Sequence, residues 1–90
     1  MAKAIVDPAE LRRFALDFKR FNNELEAQMA ALHSRMTALG QSWRDQEYQK
    51  FMDDFEAHLK LLGRSVEIAN QHIPFLMRKA ERIEDYLRQR

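Results

Sequence analysis

Ninety residues make at most one small domain, and a 46% apolar share is too high for a chain that stays unfolded. A formal net charge of +1, with acids and bases interspersed, excludes a dedicated nucleic-acid surface, which needs a basic stripe. The chain has no cysteine for a disulfide or thiolate metal site, and no run approaches the ~18 apolar residues of a membrane span.

Residues 1–6 form a short lead-in. The apolar core of a secretory leader is not expected there, because Asp7-Pro8 interrupts it. Asp7 is a good N-cap, since its carboxylate accepts from the free N–H groups of a first helical turn. Pro8 suits the first helical position, and Glu10 stands three residues after the cap. A helix is therefore predicted over residues 8–39, ~48 Å long at 1.5 Å per residue. Its apolar stripe reads Leu11, Phe14, Phe18, Phe21, Leu25, Met29, Leu32, Met36 and Leu39, in steps of three and four.

Gly40 is the expected stop, as a glycine in the left-handed C-terminal cap. The turn is predicted over residues 40–44, with Ser42 as the next N-cap and Asp45 favouring the helix start electrostatically. A second helix is predicted over residues 45–89. Its apolar series runs Tyr48, Phe51, Phe55, Leu59, Leu62, Val66, Ala69, Ile73, Leu76, Ala80, Ile83, Leu87. That near-heptad spacing predicts coiled-coil-like packing. Pro74 interrupts the backbone bonding but not the apolar register, so a kink is predicted there. A loop this short makes the helices antiparallel neighbours.

The expected fold class is all-α: a single helical-hairpin domain, residues 1–90, with a Pro-kinked long second helix. Counting from a reversal at Gln41, residue 8 should lie opposite residue ~75, leaving residues 75–90 as an overhang. Leu61, Ile68 and Phe75 form a further apolar row at seven-residue spacing, outside the main stripe. That row and the overhanging Leu76, Ile83 and Leu87 predict a dimer interface that completes a four-helix bundle.

Other residues carry less. His33, His58 and His72 do not assemble a metal site, although Asp54 and His58 share a helical face. Asp53, Asp54 and Glu56 read as a solvated acidic face. Arg78, Lys79, Arg82, Arg88 and Arg90 make the end of the chain its most basic part, diluted by Glu81, Glu84 and Asp85. The methionines read as core gap-fillers. No nucleophile motif and no glycine-rich phosphate loop is present, so no enzyme, cofactor or small-molecule substrate is expected.

Leu39, Trp43 four residues on, and Phe51 in the next helix resemble the turn of the WXG family. These are small Trp-Xaa-Gly helical hairpins of the early-secreted-antigen type, and the layout covers nearly the whole chain. The resemblance implies a non-enzymatic protein that a type VII secretion system exports from the cytoplasm without a leader, as a folded homodimer or paired with a sibling hairpin. It implies an export ATPase as a partner. It also makes Leu39, Gly40, Ser42, Trp43 and Asp45 the turn motif and Tyr86 a candidate export signal. The sequence departs from the family at two places. Asp45 stands at the glycine position, and the residue four after Tyr86 is Arg90 rather than an acid. The alternative these departures favour is an intracellular coiled-coil adaptor.

Overall fold

A computed structural model describes residues 6–89. Most of the expected lead-in, residues 1–5, and Arg90 of the basic segment lie outside the described residues. Two long helices make up the protein: α1, Pro8–Leu39, and α2, Gln46–Arg88. No strand occurs among the described residues.

The start of α1 follows from its first residues. The Asp7 carboxylate accepts from the Ala9 N–H at 2.9 Å, and Pro8 occupies the first helical position, where its missing N–H costs nothing. The start of α2 falls later than Ser42. Backbone N–H groups of Gly40, Gln41, Ser42 and Trp43 still donate to Thr37, Ala38 and Leu39 carbonyls, so the chain keeps winding past Leu39. Ser42 therefore belongs to the end of α1, and its hydroxyl turns back to donate to the Leu39 carbonyl at 3.3 Å. Asp45 is the cap instead. Its backbone is extended and its carboxylate accepts from the Glu47 N–H at 3.0 Å.

Four cross-helix contacts fix the relation of α1 to α2. The Tyr48 hydroxyl donates to the Met36 carbonyl at 2.8 Å, and His33 Nε2 lies 3.0 Å from Glu56 Oε2. Asn22 Nδ2 donates to Asn70 Oδ1 at 3.1 Å, and Arg12 pairs with Glu84. Successively earlier residues of α1 meet later residues of α2, so the chain doubles back and the helices lie side by side in opposite directions. The molecule measures 69 × 17 × 15 Å. A 43-residue helix alone is ~64 Å long, so α2 sets the length.

The register differs from the one counted from Gln41. That count puts Asn22 opposite residue ~60 at equal rise. The structure puts it opposite Asn70, and places Pro8 beside Ile83, Tyr86 and Leu87. The continued winding through Ser42 and the extended backbone at Asp45 move the reversal along the chain. As a result α1 reaches the last turns of α2, and residues 75–89 do not overhang. α2 itself runs through Pro74 without interruption.

The seam between the helices is a continuous heptad series. On α2 it comprises Tyr48, Met52, Phe55, Leu59, Leu62 and Val66, then Ala69, Ile73, Leu76, Ala80 and Ile83, all buried or half-buried. Met52 takes the place expected for Phe51 and removes the irregular step. On α1 the buried positions are Ala15, Asn22 and Met36, with Leu11, Phe18, Leu25 and Met29 half-buried. Phe14 and Phe21, expected in the stripe, are 56% and 59% exposed. Both series alternate three and four through an apolar-rich helix. The small Ala15 and Asn22 let the backbones approach where two phenylalanines would hold them apart.

The two flanks of this seam differ. Arg12, Glu56, Asn70 and Glu84 each immediately follow a seam position, and they make the polar cross-helix pairs with Glu84, His33, Asn22 and Arg12 respectively. Residues that immediately precede seam positions include Phe14, Phe21 and Phe51, all exposed. The polar cross-helix pairs thus lie on one flank, and these exposed aromatic rings lie on the other.

Candidate interaction surfaces

The reversal is built on an aromatic cluster. The Trp43 ring meets Tyr48 edge-on, with centroids 5.4 Å apart, and lies 5.9 Å from Phe51. Phe51 in turn stacks on Phe55 at 6.1 Å. Trp43 is half-buried, so it closes this end of the seam while keeping one edge in solvent. Its indole N–H donates to Asp45 Oδ1 at 2.8 Å, the same oxygen that caps α2. One carboxylate oxygen therefore ties the tryptophan to the first turn of the following helix. A glycine at position 45 would supply neither bond. Arg44 Nε closes the loop by donating to the Gln41 carbonyl at 3.0 Å.

Gly40 is needed for a different reason from the one expected. Its backbone is right-handed helical, φ −62° and ψ −15°, and not the left-handed cap. A Cβ at this position would sit 2.7 Å from the Tyr48 hydroxyl and 2.9 Å from its Cζ. Tyr48 is held there by its bond to the Met36 carbonyl and by the Trp43 ring, so the glycine makes room for a fixed side chain. Leu39, beside it, is exposed.

The expected interface residues fall into two groups. Leu61, Ile68 and Phe75 are 69%, 51% and 49% exposed and form one row on α2. Leu76 and Ile83 are half-buried members of the seam. Ile83 and Leu87 border a groove of ~520 Å³ at the open end, together with Pro8, Lys79, Arg82 and Tyr86. Ile83 is therefore set against α1 residues, because α1 extends this far. Tyr86 is exposed at the groove's edge.

His33 is bound to Glu56, and among the described residues no three His, Asp or Glu side chains converge as metal ligands. No helix among them is long and apolar enough to cross a membrane. Asn22, 2% exposed and bonded to Asn70, lies outside the expected stripe, as do Ala15 and Met52. It is in phase with Ala15 and Met29, so a strict heptad count would have found it. The latch from Tyr48 to Met36 had no such signal, because it runs from a side chain to a backbone carbonyl.

Comparison of the chain with family models, with curated proteins and with solved structures gives no match.

Proposed function

We propose that this chain is a non-enzymatic interaction protein, a helical hairpin of the WXG type that a type VII secretion system exports as a pair of hairpins forming a four-helix bundle. The observation that carries this reading is the packing of Trp43 against Phe51 at the chain reversal. Those are the residues on which the resemblance rests, and the structure brings them together. The exposed row Leu61, Ile68 and Phe75 supports the pairing, since solvated apolar rows of this kind mark protein contacts. The partner hairpin is a second copy or a sibling, and Tyr86, exposed at the open end, is available to an export ATPase.

Expression in a host with a type VII export ATPase tests the reading. The protein is expected in the culture supernatant and is expected to stay in the cells when the ATPase is deleted. Equal distribution in the two strains would overturn export. It would favour the second reading, an intracellular coiled-coil adaptor, to which Asp45 at the glycine position and Arg90 four residues after Tyr86 already point.

A further inference from the structure

The outer row of α2 is longer than its three apolar residues. At the same seven-residue spacing it begins with Asp54 and ends with Arg82, giving Asp54, Leu61, Ile68, Phe75, Arg82. The charges at its two ends are opposite, and the order is symmetric about Ile68. Neither Asp54 nor Arg82 takes an ion pair within the chain among the described residues. The two charges stand ~42 Å apart along the helix, too far to meet each other. From this pattern we infer that the row is the contact with a second copy of this chain, crossing antiparallel on a two-fold axis at Ile68.

The geometry of a two-fold contact requires that if one residue meets a second, the second meets the first. Antiparallel α2 helices centred on Ile68 satisfy this along the whole row. Ile68 meets its own copy, Leu61 meets the partner's Phe75, and Asp54 meets the partner's Arg82. A parallel contact would set Asp54 against Asp54 and Arg82 against Arg82, which is repulsive at both ends. A sibling hairpin has no reason to mirror this order, so the symmetry selects a second copy. One position out, Phe51 falls near the partner's Tyr86, both exposed in the lone chain.

The exposed area agrees with the need for such a partner. A compact monomer of 10.8 kDa exposes about 5,500 Å², whereas this chain exposes 7228 Å². The excess, about 1,700 Å², comes with the elongated 69 × 17 × 15 Å shape, and it leaves room for the roughly 1,000–2,500 Å² that one protomer gives to a large homodimer interface.

This inference rests on the pairing in the proposed function, and cysteine cross-linking separates the two. The chain lacks cysteine, so each introduced thiol reports alone. Ile68→Cys is expected to form a disulfide-linked dimer under mild oxidation. Leu61→Cys and Phe75→Cys alone should stay unlinked and should link only when mixed, because a disulfide needs Cα atoms within ~7 Å. Asp54→Arg should weaken the dimer about tenfold in sedimentation equilibrium, and adding Arg82→Asp should restore it. Self-linking of Leu61→Cys would overturn the antiparallel contact while leaving a paired hairpin. A dimer indifferent to both charge changes would place the contact on another face. A parent chain that sediments as a monomer at all concentrations would overturn the pairing as well.

Discussion

Gly40→Ala is the change whose outcome the turn geometry determines most sharply, because two effects of opposite sign meet there. The backbone at position 40 is right-handed helical, so alanine is favoured over glycine by ~0.5–1 kcal/mol through the unfolded chain's entropy. Against this, the new Cβ would lie 2.7 Å from the Tyr48 hydroxyl and must displace the ring. Displacement forfeits the bond to the Met36 carbonyl, worth ~1 kcal/mol. It also loosens the edge contact with Trp43, worth ~0.5–1.5 kcal/mol. The loss exceeds the gain by about 1 kcal/mol, a fall in Tm of ~4–8 °C for a domain of this size. In a Tyr48→Ala background the obstacle is gone and only the entropic term remains. There the same Gly40→Ala change should raise Tm by a few degrees, on the order of 3 °C. Thermal melts followed by helical circular dichroism at one fixed protein concentration would show the reversal of sign. A destabilisation of equal size in both backgrounds would refute the reasoning, and would mean that something other than Tyr48 requires glycine at position 40.

Other changes test other parts of the structure. Asp45→Ala removes both the α2 cap and the acceptor for the Trp43 indole, and should cost ~1–2 kcal/mol in chemical denaturation, with a red shift in Trp43 emission. An unchanged emission maximum would show that the indole bond is not made in solution. Asn22→Leu fills a buried seam position with an apolar side chain, so Tm should rise while solution mass becomes heterogeneous, because a polar residue buried in a heptad seam fixes register. A higher Tm with a single mass would remove the register role of Asn22. Pro74→Ala restores a backbone hydrogen bond inside α2 and should stabilise by up to ~3 kcal/mol, read as a higher denaturation midpoint. Phe75→Asp, on the exposed outer row, should leave helicity intact and raise the dimer dissociation constant in sedimentation.

The start of α1 was legible from local chemistry alone. Asp7 and Pro8 act on backbone groups within a few residues, so their effect does not depend on what packs later. Heptad periodicity is likewise a property of the chain, and it marked α2 correctly through Pro74. Which of two overlapping apolar stripes on α1 turned inward was another matter. Phe14 and Phe21 have the greater hydrophobicity, but Ala15 and Asn22 allow the helices to come close. That preference exists only once a second helix is present. The register also escaped the sequence, because Ser42 serves the end of α1 and not the start of α2, and a few residues of extra winding move every later pairing. Composition and spacing thus determined two amphipathic helices with a break between them. Packing decided which faces meet, what Asp45 and Gly40 are for, and that Leu61, Ile68 and Phe75 are left exposed.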